Sequence, residues 1–376
     1  MKFNYITNIP QEEISGGFSA MNAAAYEALS EAAEVHYVGP VNPPKNHLEW
    51  LASKVKRSAG IPGEFFAFSD KQLGRIALEV DRQRRSDADF DFFHGFTPWS
   101  RCEKQRPYLA WSDCCFRDYV DIYHAPGAFQ ESDLSRICSA ETAWMQGAEG
   151  ILLSSEWARR RTQSYYGLVD RSLHNVSIFG AVEIPRTDEY LGGHDFLFIS
   201  TDYRLKNGPI CRTAMNEVWQ KYPNARLKII GAPPRAEDLS DQRVSYCGYL
   251  NKSDPKQFAA FCDHLSKAFA LLHPTGADTT AMVVIEAAFY GCPSITVDDF
   301  ALPEVTDNGA YACLLRRPVS ANSLALVMID LLDDVVRYRR MRTKARQVTI
   351  ERFSRRAFKK RLQSAVLTSL RMQRCR

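Results

Sequence analysis

Short apolar segments alternate with longer segments of mixed polarity along almost the whole chain. The short segments predict strands, and the longer ones, with apolar residues three or four positions apart, predict helices. The predicted strands cover residues 3–6, 35–38, 90–94, 108–111, 151–154, 176–179, 196–199, 226–230, 244–246 and 269–273. The predicted helices cover residues 19–33, 131–146, 156–166, 209–222 and 255–267. This alternation predicts an α/β protein whose parallel sheets are connected by crossover helices.

The same pattern indicates two Rossmann-like domains and a tail. Residues 185–195 lose the apolar pattern and contain a Gly pair, so we predict a linker there. We expect one domain over residues 1–185 and a second over residues 195–345, facing each other across a cleft. A basic helix over residues 346–376 is expected to pack back on the first domain. Ligands of such folds bind at the carboxyl ends of the strands.

The segment from residue 273 to residue 305 contains two carboxylates, Asp278 and Glu286, eight positions apart. Glu286 interrupts an otherwise apolar helix predicted over residues 281–290, and a buried carboxylate without a partner is costly. Eight residues at the helical rise span about 12 Å, roughly the reach from the sugar to the ribose of a nucleotide sugar. Two interpretations remain open: a ligand site, or a core carboxylate at Glu286 with an N-cap at Asp278.

The residues between these carboxylates suit a diphosphate. Asp278, Thr279 and Thr280 precede the predicted helix, where free N–H groups and the helix dipole favour negative charge. The earlier segment 200–208 follows a predicted strand and carries Arg204 and Lys206, which suit the same anion. Cations that follow strands are also common on ordinary surfaces.

The loop from Ser15 to Phe18 follows the first predicted strand and contains Gly16 and Gly17. Glycine lets the backbone approach a ligand closely. The alternative is a structural turn. The loop lacks the GxGxxG pattern, so a dinucleotide-dependent oxidoreductase is the least favoured enzyme class.

Composition narrows the class of protein. The chain has 376 residues, of which 45% are hydrophobic and 24% charged, which is typical of globular domains. The first residues are too polar for a signal peptide, and the ten cysteines show no CxxC spacing. We therefore expect reduced thiols, no zinc site and a cytoplasmic location.

The net charge of +4 is small but unevenly distributed, because the region 337–376 is strongly basic. One interpretation is a solvated helix face. Another is peripheral contact with anionic lipid on the inner face of a membrane. Aromatic residues for base stacking are sparse there, so nucleic acid is not expected as a partner.

Together these segments resemble the retaining glycosyltransferases of family 4, which have the GT-B fold. The family's Glu-x7-Glu motif appears as Asp278-x7-Glu286, with aspartate in the first place. Its lysine-glycine phosphate loop appears as KNG at residues 206–208, with an intervening asparagine. Its glycine-rich turn before a Pro-Glu pair appears as FAL at residues 300–302, followed by PE at residues 303–304. The resemblance covers most of the chain.

The resemblance implies roles for residues of the second domain. Glu286 would bind the ribose hydroxyls, and Asp278 would hydrogen-bond the transferred sugar. Lys206 and Arg204 would bind the diphosphate. Tyr249 and Leu250 would lie beside the base.

It also implies roles in the first domain. Gly16 and Gly17 would approach the diphosphate from the opposite domain. Asp113 stands where many family members have a histidine, and it would orient the acceptor or the anomeric centre. An ordinary aspartate at a strand end is the alternative for Asp113. His94 is a further candidate for lining the site, although a single histidine near a sheet is more often structural.

The activity implied is that of a hexosyltransferase. It would transfer a sugar from a UDP- or GDP-linked donor to a hydroxyl of a glycan, a lipid-linked molecule or a protein, with retention of configuration. A front-face mechanism is expected, without a metal or another cofactor. Two other functions stay open: a sugar-nucleotide epimerase of the same fold, and a non-catalytic subunit that binds nucleotide sugars.

Overall fold

The computed structural model describes residues 1–12, 17–44 and 47–374. Its strands, in chain order, are β1 (Lys2–Ile6), β2 (Glu34–Val38), β3 (Phe90–His94), β4 (Tyr108–Ser112), β5 (Gly150–Leu153), β6 (Leu173–Asn175), β7 (Asp195–Ser200), β8 (Arg226–Gly231), β9 (Val244–Tyr246), β10 (Ala270–His273), β11 (Ser294–Val297) and β12 (Ala312–Leu315). Its helices are α1 (Gly17–Ser30), α2 (His47–Ser58), α3 (Asp70–Gln83), α4 (Phe116–Tyr123), α5 (Glu131–Gln146), α6 (Glu156–Tyr166), α7 (Gly208–Lys221), α8 (Pro255–Lys267), α9 (Met282–Phe289), α10 (Leu302–Val305), α11 (Ala321–Asp333), α12 (Val335–Phe353) and α13 (Arg355–Arg374).

These elements form two compact units. Within the described residues, the first unit comprises residues 1–12, 18–177 and 358–374, and the second comprises Gly17 and residues 178–357. Each unit contains one six-stranded sheet, and all the strand pairs within each sheet are parallel.

The sheet of the first unit has the strand order β2-β1-β3-β4-β5-β6. All five residues of β4 are buried, as expected for a central parallel strand that is covered on both faces. The direction in which strands are added reverses between β1 and β3, because β2 pairs with one edge of β1 and β3 pairs with the other. Such a switch point opens a crevice at the carboxyl ends of the strands.

The sheet of the second unit has the strand order β12-β11-β10-β7-β8-β9. Numbered within the unit, this is the Rossmann order, and its switch point lies between β7 and β10. Strands β10 and β11 are buried throughout. Helix α9 is short and mainly apolar, and it follows β10 through the loop that contains Asp278.

The division between the units differs from the predicted linker. The predicted strand at residues 176–179 is wrong, because the last strand of the first sheet is β6. After one further hydrogen bond, from Val176 N–H to the Leu153 carbonyl, the chain leaves that sheet. Gly180 N–H then donates to the Phe353 carbonyl in the second unit. The units therefore separate at residues 177–178, before the polar segment that predicted a linker at 185–195.

The basic tail also begins later than residue 346. Helix α12 belongs to the second unit, and the return to the first unit starts at Phe358 in α13. Phe358 and Leu362 are completely buried. Lys359 forms ion pairs with Glu27 of α1 and with Glu31, which follows α1, at 2.5 and 2.6 Å. The apolar face of α13 is thus part of the core of the first unit.

The nine cysteines in the described residues are free thiols. None of the helices in that part of the chain combines the length and apolarity needed to cross a bilayer. The same residues contain no group of three His, Cys, Asp or Glu side chains that is arranged to hold a metal ion.

Candidate functional site

A cavity of about 270 Å³ lies at the switch point of the second unit. Residues at or after the carboxyl ends of β7, β8, β9 and β10 line it, together with the start of α9. The cavity brings together Lys206, Asp278 and Glu286, which the sequence pattern had singled out. Its position is the one where Rossmann-like sheets bind ligands.

Asp278 is the most heavily bonded group of this cavity. Its Oδ2 accepts a hydrogen bond from Lys206 Nζ at 2.6 Å and lies 2.9 Å from His273 Nε2. Its Oδ1 accepts the backbone N–H groups of Thr279 and Ala281, at 2.9 and 3.1 Å. Burial opposes ionisation, but the bond to His273 and the charge of Lys206 outweigh it and hold the pKa of Asp278 below its usual value. Asp278 is therefore a carboxylate.

His273 ends β10 and is almost completely buried. Because Asp278 is ionised and only accepts hydrogen bonds, His273 donates its Nε2–H to it. Nδ1 of the same ring has no hydrogen-bond partner among the described residues. His273 lines the cavity, so it places a second nitrogen-bearing side chain beside Lys206.

Glu286 lies on α9 and is 2% exposed. Its Oε1 accepts hydrogen bonds from the backbone N–H of Ala181 at 3.0 Å and from Lys252 Nζ at 2.6 Å. Lys252 also lies over the ring of Phe261, at 4.4 Å from the centroid. Both bonds that Glu286 accepts from described residues end on Oε1, so Oε2 remains available to a ligand.

Helix α9 begins later than the sequence predicted. Ala281 is its N-cap with φ 48°, and the first helical residue is Met282. Thr279 and Thr280 are buried and do not line the cavity. The N–H of Thr279, predicted to be free for a diphosphate, is already bonded to Asp278. The N–H of Ala281 is bonded to Asp278 as well, so the amides that the start of α9 offers to the cavity are those of Met282 and Val283, which both line it.

The loop after β7 places Lys206 by tight local geometry. Asn207 adopts φ 60° and donates its side-chain amide to the Pro274 carbonyl at 2.8 Å. Gly208 follows, and a Cβ at this position would collide with the ring of Tyr203. These contacts tie the loop to the segment after β10, and Lys206 reaches the Ala277 carbonyl as well as Asp278.

The remaining predicted donor residues divide into two groups. Tyr249, Leu250 and Gly17 line the cavity. Arg204 does not line it and is exposed, because its loop turns it to solvent. The expected contact of Arg204 with a diphosphate is therefore not supported. Gly16 lies outside the described residues.

Asp113 follows β4 in the first unit and lines a different cavity, as does His94 at the end of β3. Asp113 is half-buried; its carbonyl accepts a hydrogen bond from Ser154 Oγ at 3.1 Å. The structure thus places Asp113 and Asp278, the two residues predicted to act at the reacting sugar and to be catalytic, in separate units.

Sequence reasoning missed Lys252 and the bonding role of His273. Lys252 lies in a polar stretch after β9, where one lysine among surface residues carries no signal. His273 did carry one, because it directly follows an apolar strand and lies five residues before Asp278. Only folding brings Lys252 to Glu286, across 34 residues of sequence.

Residues 193–334 match the model of a family described as "Glycosyl transferases group 1". The match contains every charged residue of the cavity in the second unit. The comparison with curated proteins finds no match.

Solved structures share the fold. Sucrose-phosphate synthase from Thermosynechococcus elongatus has a TM-score of 0.71 at 15% identity, over 99% of both chains. Anabaena HepE, in complex with UDP-glucose, has a TM-score of 0.67 at 12% identity, over 98% of this chain and all of that one. TarM has a TM-score of 0.57 at 15% identity, and this chain spans only 58% of its length.

These matches confirm the predicted resemblance to GT-B glycosyltransferases and the GT-B fold. Family 4 in particular is compatible with them.

Proposed function

We propose that this protein transfers a hexosyl group from a nucleoside diphosphate sugar to an acceptor hydroxyl, with retention of anomeric configuration. The observation that carries the proposal is the cavity at the switch point of the second unit, where two lysines and two carboxylates line one space of about 270 Å³. Proteins of one fold catalyse many different reactions, so the function is inferred from the residues that line this cavity.

The donor is a UDP- or GDP-linked sugar in this proposal. Lys206, Lys252 and the amides at the start of α9 supply positive charge and N–H donors for a diphosphate. Glu286 offers Oε2 to the ribose hydroxyls, and the half-exposed ring of Tyr249 is available to the base. UDP is the first nucleotide to test, because solved structures of HepE and TarM contain it.

Retention is proposed to follow a front-face route. As the bond from the anomeric carbon to the diphosphate breaks, the acceptor oxygen bonds to that carbon on the same face, and the departing phosphate oxygen accepts the acceptor's proton. Both oxygens of Asp278 are bonded to donors of this chain, which disfavours Asp278 as a covalent nucleophile. Asp113 is proposed to orient the acceptor from the first unit.

Fixed lysines and helix amides stabilise the leaving diphosphate in this proposal, without a metal ion. Transfer measured in the presence of EDTA should equal transfer in its absence. A loss of activity that Mg²⁺ or Mn²⁺ restores would show that a metal ion takes part.

The first experiment is calorimetric titration of the wild type, Glu286→Gln and Glu217→Gln with UDP and with GDP. Glu217 is an exposed carboxylate on α7 of the same unit and serves as the control. We expect one nucleotide to bind the wild type and Glu217→Gln equally. Glu286→Gln should bind at least about ten-fold more weakly, because a charge-assisted bond to ribose is lost. If neither nucleotide binds at millimolar concentration, the proposal is wrong.

Product analysis then separates transfer from epimerisation. The protein is incubated with UDP-glucose, UDP-N-acetylglucosamine or GDP-mannose, with and without a panel of hydroxyl acceptors, and the products are analysed by NMR. Transfer predicts a new glycoside with the anomeric configuration of the donor, formed only with acceptor. An epimerised sugar formed without acceptor would identify an epimerase, and nucleotide binding without any product would favour a non-catalytic subunit.

Membrane contact is a separate part of the proposal. Arg355, Arg356 and Lys360 on α13 are exposed, whereas Phe358 and Leu362 of the same helix are buried in the first unit. Electrostatic adhesion through these three cations predicts co-sedimentation with phosphatidylserine vesicles that falls when all three are changed to Glu. Equal co-sedimentation of both proteins would exclude this role.

A further inference from the structure

The first unit contains a second cavity, of about 500 Å³, which the proposed donor site does not use. Phe and Tyr side chains form a large part of its described lining; among them are Phe18, Phe65, Phe68, Phe116, Tyr119 and Tyr123. Phe65 and Phe68 stack at 5.4 Å between ring centroids, and Phe116 meets Phe65 edge-to-face at 5.0 Å. Tyr119 and Phe18 remain about 40% exposed, so this is an accessible aromatic surface.

Its position argues for a ligand. Asn8 follows β1, His94 and Gly95 end β3, and Ser112 and Asp113 end β4. The cavity therefore lies at the carboxyl ends of the strands that flank the switch point of the first sheet. Open parallel sheets bind their ligands there.

His94 supplies an independent observation. It is 1% exposed, yet neither ring nitrogen has a hydrogen-bond partner among the described residues. Burial lowers its pKa to about 3, so the ring is neutral at pH 7 and offers one donor and one acceptor. Trp111 stacks on the ring at 5.4 Å, and Phe18 lies 4.3 Å from it. Burying a polar group without a hydrogen bond costs free energy, and a hydrogen bond to the hydroxyl of a ligand would remove that cost.

The charges around the cavity restrict the ligand. Its described lining includes the carboxylate of Asp113 but no lysine or arginine. A phosphate or carboxylate would therefore enter without a cation to pair with it. A neutral hydroxyl suits both His94 and Asp113, while an aromatic body suits the ring-lined wall.

We propose that this cavity binds a neutral, hydroxyl-bearing ligand with an aromatic body, such as a phenol, an aryl alcohol or an aryl glycoside, and that His94 hydrogen-bonds its hydroxyl. The ligand is the acceptor if the proposed function holds, and only that assignment rests on it. The aromatic rings of the cavity would then favour an acceptor with an aromatic body, and its polar end would favour an acceptor without charge.

The test measures binding without a donor. The probes are 4-nitrophenyl β-D-glucopyranoside, methyl β-D-glucopyranoside and 4-nitrophenyl phosphate, titrated by NMR. We expect the aryl glycoside to bind about ten-fold more tightly than the methyl glycoside, because its ring is removed from water. The aryl phosphate should bind more weakly than the aryl glycoside. Equal affinity for the two glycosides, or tightest binding of the phosphate, overturns the proposal.

Three variants locate the binding. Tyr119→Ala removes an exposed ring of the cavity, and Tyr165→Ala removes a ring of similar exposure from the same unit that does not line it. Only Tyr119→Ala should weaken the aryl glycoside. His94→Phe keeps an aromatic ring in place and should weaken it about five-fold, through the lost hydrogen bond. Unchanged affinity in Tyr119→Ala and His94→Phe, with near-UV circular dichroism showing both folded, overturns the assignment.

Parallel titration with UDP separates this inference from the proposed function. If UDP binds but the aryl glycoside does not bind selectively, only the proposed ligand of the first-unit cavity is wrong. If the aryl glycoside binds selectively but neither UDP nor GDP binds, the proposed ligand of this cavity is supported and the proposed nucleotide-sugar donor is wrong.

Discussion

The two units carry cavities at equivalent places in their sheets but build them from opposite chemistry. In the second unit, Asp278 is paired with Lys206 and Glu286 with Lys252. In the first unit, the described lining is rich in aromatic rings, and the buried His94 has no hydrogen-bond partner among the described residues.

The difference follows from the free energy that each kind of side chain costs when it is buried. A bare buried charge costs so much that the second unit balances each carboxylate with a lysine of the same chain. Burying a neutral imidazole without a hydrogen bond costs less free energy than burying an unpaired charge. The first unit can therefore contain His94 without a hydrogen-bond partner among the described residues, and we propose that a ligand supplies one. Topology decides where a ligand binds, and side chains decide which ligand.

Among the changes to charged residues, removal of the Asp278 carboxylate should have the largest effect on stability. Asp278→Ala leaves His273 and two backbone N–H groups without their acceptor and Lys206 without its ion-pair partner, so we expect a loss of about 3–5 kcal/mol in the free energy of unfolding. The Asp278 contribution is present above about pH 4 and is lost as pH falls through its lowered folded-state pKa. Denaturant unfolding at neutral pH measures the loss.

Asp263→Ala is the control, because it removes an exposed carboxylate paired with Lys267 one helical turn away. This change should cost less than about 1 kcal/mol. Similar losses for the two variants would contradict the description of Asp278 as the centre of an internal ion-pair network.

His94 should give the first unit a dependence on pH. Its unfolded form takes up a proton below about pH 6.5, whereas the folded form stays neutral until about pH 3. The unfolded state thus binds more protons in this window, and stability falls as pH falls. Between about pH 7.5 and about pH 5, the wild type should lose about 2 kcal/mol more than His94→Phe. Parallel unfolding curves at both pH values measure this difference; equal losses would mean that His94 is not held neutral by burial.

Lys252 should matter to nucleotide binding through Glu286. Lys252→Met removes the cation that holds Oε1, and we expect UDP to bind about ten-fold more weakly, or about 1.4 kcal/mol. Lys256→Met, an exposed lysine nearby on α8, should leave affinity unchanged. In a double-mutant cycle, Lys252→Met and Glu286→Gln should be non-additive. Additive losses would show that the two residues act independently.

The smallest effect is expected for removal of the Lys359 charge on α13. Lys359→Ala breaks ion pairs whose acidic partners are largely exposed, so the free energy of unfolding should fall by at most about 1 kcal/mol. Phe358→Ala on the same helix empties a fully buried position and should cost about 3–5 kcal/mol. If the two changes cost the same, α13 does not belong to the core of the first unit.

Much of the fold could be predicted from local sequence patterns. Helices α5, α6 and α8 have the predicted bounds, because caps and turn residues act over a few positions. The end of the first unit could not be predicted in this way. The polar stretch at 185–195 has the composition of a linker, but the chain already belongs to the second unit from residue 178. Loss of apolar pattern marks exposure, which is not the same as a boundary between units.

The sequence by itself determined the alternation of strands and helices, the eight-residue spacing of Asp278 and Glu286, and the resemblance to GT-B glycosyltransferases. Only the tertiary structure decided that Lys206 bonds to Asp278, that Lys252 bonds to Glu286, and that His94 lies without a partner among aromatic rings. Periodicity and capping are properties of neighbouring residues, so they can be read along the chain. Ion pairs and cavities join residues that are far apart in sequence, and their energies depend on burial that folding alone creates.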